Sequence, residues 1–224
     1  MKFKILSLLC MFIIMFSASC SDDSKQPDNS FKDIDGNKYT SVKIGAQTWM
    51  VENLKTTKYR NGDPIPNVTD QTDWADLTTG GYCIIENNYP NSSSYNRLYN
   101  WYAVADSRNI APEGWHVPTD AEWTTLTDFL GGENSAGGKL KEMGTVHWCD
   151  PNTGAMNSNG FTALPGGTRT DLFFLAVCQW GTWWTATEKE STTAYNRIMF
   201  NNDAGINRVD NSRNFGMSVR CIKD

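Results

Sequence analysis

The spacing of apolar positions changes period along this chain, and the changes predict its elements. FKDIDGNKYTSVKIG (31–45) alternates in short runs around Asp35-Gly36-Asn37, a trio that favours positive φ, and so reads as a hairpin. QTWMVENL (47–54) continues as a strand, 58–80 is a polar, turn-rich excursion with Pro64 and Pro66, and GYCIIEN (81–87) is strand-like before a Ser/Asn loop at 88–96. In RLYNWYAVAD (97–106) the period lengthens: Leu98, Trp101, Tyr102 and Ala105 fall on one helical face.

GWHVPTDAEW (114–123) carries the most explicit local signal. Thr119-Asp120-Ala121-Glu122 is a Thr-x-x-Glu capping box, in which hydroxyl and carboxylate satisfy each other's backbone amides. Pro118 bars a helix from running backwards, and Asp120 complements the positive helix end. Beyond the cap, Trp123, Leu126, Thr127 and Leu130 form a stripe that Gly131-Gly132 stops. A second helix is predicted at 136–143, weakened by two glycines. The last third returns to strands and loops: FTALPGGTRT, GTWWTATE, AYNRIMFNND, GINRVDN and GMSVRCIKD. Strands, then two or three helices, then strands predict an α+β domain with helices flanking antiparallel sheet. No internal repeat is present.

The start of the chain has a different pattern. Lys2 and Lys4 precede an apolar run from Ile5 to Phe16, and small residues 17–19 lead to Cys20. This is a secretory signal, too short to span a membrane. It resembles a bacterial lipoprotein signal, with Ser17 where Leu is usual, and that resemblance makes Cys20 the lipid-bearing first residue of the processed chain. The expected division is therefore signal 1–19, tether 20–30 and domain 31–224. The Ser-Asp-Asp after Cys20 is similar to the surface-export tag of Bacteroidetes lipoproteins, which implies an outer-membrane, surface-exposed location. A solvated tether is the plainer reading of the same residues.

Composition narrows the function. The chain is net acidic, at −5, with no Lys/Arg cluster to contact nucleic acid. Nine Trp, eight Tyr and ten Phe among many Asn, Thr and Gly predict an aromatic core, short strands and polar loops. Past the signal, Cys83, Cys149, Cys178 and Cys221 have no Cys-x-x-Cys spacing; in an oxidising compartment they pair, with three connectivities open. Asp33, Asp35 and Asn37 match the start of an EF-hand loop, but Lys38 and Ile44 stand where its Gly and bidentate Glu belong. His116 reads as a hydrogen-bonded loop residue, and neither it nor His147 has a second ligand nearby in sequence. No metal, cofactor or catalytic residue is predicted.

DIDGNKYTSVKIGAQTWMVENLKTTKYRNG, RLYNWYAV, GWHVPTDAEW, GGKLKEMGT, GFTALPGG, WWTATE and SVRCIKD occur in this order, and together they resemble the Fibrobacter succinogenes major paralogous domain family over about 33–224. The resemblance implies a C-type lectin-like fold, alongside the formylglycine-generating, sulfatase-modifying enzymes, and no defined chemistry. It implies a Cys83–Cys221 disulfide, those two matching family positions, and leaves Cys149 and Cys178 to pair with each other. Where many members carry a Cys before the Pro of this loop, this chain has Ala111, which removes any bridge anchored there.

Two functions follow as expectations. One is a non-enzymatic module that binds a glycan or a surface protein, tethered to the membrane by its lipid. Its recognition face would be Trp183, Trp184, Glu188, Asn196 and Arg197, since aromatic faces stack on sugars and Asn, Glu and Arg pair with hydroxyls or carboxylates. Strand alternation would point one of the two neighbouring indoles outward. The calcium-dependent sugar motif of C-type lectins is absent: Asn201-Asn202-Asp203 has no partner tripeptide. The alternative is another enzyme on the same fold, above all an oxidase like the formylglycine-generating enzymes, which need a close pair of thiolates for copper; only Cys178 and Cys221 lie in the C-terminal third.

Overall fold

The Asp33 carboxylate organises the first hairpin. Its Oδ1 accepts from the amides of Asp35 and Asn37 at 3.0 and 2.9 Å, and its Oδ2 accepts from Asn37 Nδ2 and the Tyr39 hydroxyl. Gly36 supplies the φ of +80° that the turn requires. The residues that imitate a calcium loop are thus committed to holding a turn between β1 (Phe31–Lys32) and β2 (Lys38–Tyr39).

These details come from a computed structural model, which describes residues 30–85, 92–95 and 97–224. The expected signal, Cys20 and the expected tether up to residue 29 lie outside the described residues. After β2 come β3 (Ser41–Ile44), β4 (Gln47–Met50), α1 (Gln71–Ala75), β5 (Tyr82–Ile84), α2 (Ser92–Tyr95), β6 (Arg97–Tyr99) and α3 (Trp101–Val104). Then follow β7 (Trp115–His116), α4 (Asp120–Phe129), α5 (Glu133–Leu140), β8 (Thr168–Arg169) and β9 (Phe174–Leu175). The chain ends with β10 (Trp180–Glu190), β11 (Thr193–Phe200), β12 (Asn207–Ser212) and β13 (Ile222–Lys223). The larger sheets are β3-β4-β13-β7 and β10-β11-β12, both antiparallel; β1-β2, β5-β6 and β8-β9 are two-stranded. The domain is α+β, with small antiparallel sheets and short helices.

The helix entrance forms as its sequence predicts. Thr119 Oγ1 accepts from the Glu122 amide at 3.2 Å, and Glu122 Oε2 accepts from the Thr119 amide at 2.7 Å. Trp123, Leu126, Thr127 and Leu130 are buried, and Gly131 and Gly132 end α4 with positive φ. α5 begins three residues before the predicted 136. Its two glycines are required by packing: a Cβ on Gly137 would lie 1.8 Å from the Gly205 carbonyl oxygen, and one on Gly138 would lie 2.4 Å from that of Gly154.

Residues 97–106 are not one helix. Tyr99 exchanges both backbone hydrogen bonds with Met217, at 2.8 and 3.0 Å, and Leu98 pairs with Cys83, so the first half is a strand. Asn100 then starts α3, its Oδ1 accepting from the amides of Gly81 and Ala103. Long-range pairing overrides the helical spacing, and Ala105, predicted inward, is exposed. The polar excursion at 58–80 contains α1, which Asp70 caps by accepting from the amides of Thr72 and Asp73.

The interior forms three apolar clusters. One gathers Tyr39, Met50, Tyr99, Trp184, Met217 and Cys221 among others; a second Trp49, Trp123, Trp148, Phe161, Trp183 and Met199; a third Trp74, Cys83, Tyr95 and Leu98. Cys149 and Cys178 form a disulfide. The expected Cys83–Cys221 bridge is corrected: both are free, buried thiols in different clusters. Burial pushes the Cys83 thiol up to about 12 and raises that of Cys221 further, so both stay protonated.

Candidate functional site

Of the five residues expected to form a recognition face, four lie in the interior. Trp183 and Trp184 are both fully buried, because β10 runs between two apolar clusters and each indole enters one. Trp183 Nε1 donates to Asn53 Oδ1 at 3.0 Å, and Trp184 Nε1 donates to the Tyr99 carbonyl at 2.9 Å. The expectation of one inward and one outward indole is corrected: alternation holds, but at these two positions both faces of the strand are covered. Asn196 is buried, its Oδ1 accepting from Asn211. Arg197 is buried on α4, donating to the Asp120 carbonyl and Thr124 Oγ1 and pairing with the Asp120 carboxylate at 2.9 Å. Glu188 alone is exposed, ion-paired to Arg213. These side chains hold the sheet to its neighbours.

The sequence reading missed a set of cations that grip backbone carbonyls. Lys141, fully buried, donates through Nζ to the carbonyls of Thr153, Phe200 and Asp203 at 2.8, 2.9 and 2.7 Å. Arg169 donates to the carbonyls of Val68, Thr69 and Asp70 and stacks over Trp74. Arg220, also fully buried, donates to the carbonyls of Phe161 and Thr162 and to Asn53 Oδ1, over the Phe161 ring. Loops without strand partners still need their buried carbonyls satisfied, and a multivalent cation does this for several at once. Burial pulls the Lys141 ammonium down to about 8, Asp203 opposing, and the Arg220 guanidinium down to about 9, Glu52 opposing. Both remain charged at neutral pH.

Arg60 repeats the device at the surface and builds a cleft. Its Nε donates to the Ala111 carbonyl at 3.1 Å, and one Nη donates to those of Pro112 and Trp115 at 2.8 and 2.7 Å. Its own amide donates to the Asn109 carbonyl. The 109–115 loop is thereby fixed opposite the first hairpin, leaving a cleft of about 230 Å³ walled by 32–34, by Thr56, Lys58 and Arg60, and by 110–113. Ile110 and Ala111 are buried at its floor, and Ile34 stands half exposed on its rim. Lys58 is paired with Asp35 at 3.2 Å. The only local signals for this site were the hairpin turn and the loop preceding Gly114.

His116 does not belong to this cleft. Its Nδ1 lies 2.7 Å from Asp224 Oδ1 and its Nε2 lies 2.9 Å from Glu122 Oε1. Burial lowers the imidazole, but the hydrogen bonds to Asp224 and Glu122 outweigh it, and the net shift is upward. The ring ties Asp224 to the cap of α4; it is hydrogen-bonded as expected, but it sits on strand β7, paired with Ile222, and not in a loop. His147 pairs with Glu142 at 2.7 Å. Among the described residues, no three His, Cys, Asp or Glu side chains converge to hold a metal ion, and no helix is long and apolar enough to cross a membrane.

Fold and site together define an α+β domain of small antiparallel sheets, with loops clamped by cations and a preformed cleft beside the first hairpin. The chain belongs to the Fibrobacter succinogenes major domain family, whose model matches residues 42–223. Neither a characterised protein nor a solved structure matches it. The match starts after the hairpin, so one wall of the cleft, 32–34, lies outside it and the other two lie within it.

Proposed function

We propose that this protein is a non-enzymatic binding module, carried on the outer surface of the cell by a lipid on Cys20, which recognises a glycan or a surface protein. The observation that carries the reading is the cleft. Arg60 holds its wall in place before any ligand arrives, which reduces the ordering cost of binding. We read the fold as C-type lectin-like; the pairing of an early strand, β4, with the last, β13, and the long loops between support this. The recognition face moves from 183–197 to the cleft, since the interior side chains there have no access to a ligand. The oxidase alternative gains no support from the cysteines: two are bonded to each other, and the two free thiols lie in separate clusters.

The test combines anchoring and binding. Cells expressing the full chain are labelled with a palmitate analogue, and the purified protein is screened against surface polysaccharides and proteins. The proposal expects label on the wild type, none on Cys20→Ser, and a ligand whose binding falls in Lys32→Glu. Equal labelling of both, or a ligand indifferent to every cleft variant, contradicts it.

A further inference from the structure

The charges and surfaces of the cleft favour one class of ligand over the other. Sugars are held by stacking on open aromatic faces, and no aromatic residue lines this cleft. Phe31 and Trp115, close by, stack on each other with centroids 4.1 Å apart and planes 13° apart, so their facing surfaces are already covered. The lining is mixed: its apolar part is aliphatic, with Ile110 and Ala111 at the floor, Pro112 beside them and Ile34 on the rim, still half in water, and the rest is polar or charged.

The charged groups divide into those with partners and those without. Asp33 accepts four hydrogen bonds within its own turn, and Lys58 is neutralised by Asp35. Arg60 is held by neutral carbonyls and has no ion pair among the described residues. Lys32, exposed on β1, has no ion pair among the described residues, and neither has Glu113 on the opposite wall. An occupant that complements all of this has an apolar side chain, a carboxylate close to it and N–H donors for Glu113.

We propose that the cleft binds a protein segment, seating an aliphatic side chain against the exposed Ile34, above the buried floor of Ile110 and Pro112, while an adjacent Asp or Glu of the ligand reaches Lys32 and Arg60. A peptide supplies the third requirement from its own backbone amides. The size agrees: about 230 Å³ is below the roughly 300–1,000 Å³ of sites that enclose a whole small molecule, and suits side chains of a longer partner. This inference rests on the cleft being the binding site.

The experiment uses the full chain, 15N-labelled, and a library of acetylated hexapeptides with a central Leu-Asp, Leu-Glu, Asp-Leu or Glu-Leu and random flanks. Matched libraries carry Asn or Gln for the acid, or Ala for Leu. Parallel samples receive neutral or uronic-acid oligosaccharides. Acidic aliphatic peptides should shift the amides of 32–34 and 110–113, and both matched libraries should bind more weakly. Lys32→Glu should weaken binding roughly five- to tenfold, more so at low salt. Ile34→Asp should weaken it as well, and both variants should keep the wild-type melting temperature because both side chains are exposed. Oligosaccharides that shift these amides while the peptides do not overturn the peptide inference and leave the cleft as the site. Peptide-induced shifts confined to other amides overturn both, and no binding by any peptide overturns the inference.

Discussion

Two tryptophan-rich stretches, 114–123 and 181–188, look equally suggestive in sequence and obey different rules in the fold. The first is governed by neighbours in the chain: Thr119, Glu122 and Gly131 fix the ends of α4 through bonds a few residues long. The second is governed by what packs on it from elsewhere. Trp183 meets Trp123 and Asn53 in the cluster that also holds Phe161; Trp184 reaches Tyr99. Alternating side chains report which face of a strand each residue occupies, but not whether that face is covered. In a protein with open sheets one face is usually wet; at Trp183 and Trp184 neither is.

The largest effect that would break this comparison is at the tryptophans. Trp183→Ala and Trp184→Ala should each cost about 3–5 kcal/mol in urea unfolding, since each leaves a cavity in a filled cluster and an unpaired acceptor. A near-neutral result at either would restore an exposed face to β10.

Next comes Lys141. Lys141→Met fills similar space but removes three donors, and leaving buried carbonyls unpaired should cost about 3 kcal/mol. Wild-type stability in that variant would show that the loops at 153 and 200–203 need no cation.

Thr119→Ala should cost about 1 kcal/mol through loss of the cap, with ligand binding unchanged once folding is allowed for. A loss as large as that of the tryptophans would erase the distinction between the two stretches.

The smallest effect is a pH dependence at the same helix entrance. His116 is raised above its ordinary 6.5, so its ionic contribution is complete below that value and fades as pH rises through the folded one. In Glu122, burial raises the carboxyl, but the Thr119 and His116 hydrogen bonds outweigh it, and the net shift is below the ordinary 4.5. Its contribution is present above 4.5 and fades as pH falls through the folded value. The link is therefore strongest between about 4.5 and 6.5. Urea midpoints measured against pH should fall above that window in the wild type and vary less in His116→Gln; parallel curves would remove the role given to the ring.

What the sequence disclosed follows the same division. The hairpin at Asp35-Gly36-Asn37, the capping box and the stop at Gly131-Gly132 are local and were legible. The strand at Arg97–Tyr99 was not, because its partners, Cys83 and Met217, lie far away in the chain. Nor were the carbonyl-bound cations: Lys141 and Arg220 look like surface residues until the loops that surround them are in place. The cleft was hidden for the same reason, since its walls come from three separated segments joined by Arg60. The cysteines show the limit of a family-based pairing. Cys149 and Cys178 close a bridge, whereas Cys83 and Cys221 are free in separate clusters.

The central claim is that Trp183, Trp184, Asn196 and Arg197 are interior and the ligand face lies elsewhere. Indole hydrogen exchange followed by NMR on 15N-tryptophan-labelled full chain tests it without perturbing the fold. The account predicts that the Trp183 and Trp184 indole N–H groups, bonded to Asn53 Oδ1 and the Tyr99 carbonyl, both exchange slowly and do not move when ligand is added. Rapid exchange at either indole, or a ligand-induced shift there, would contradict it.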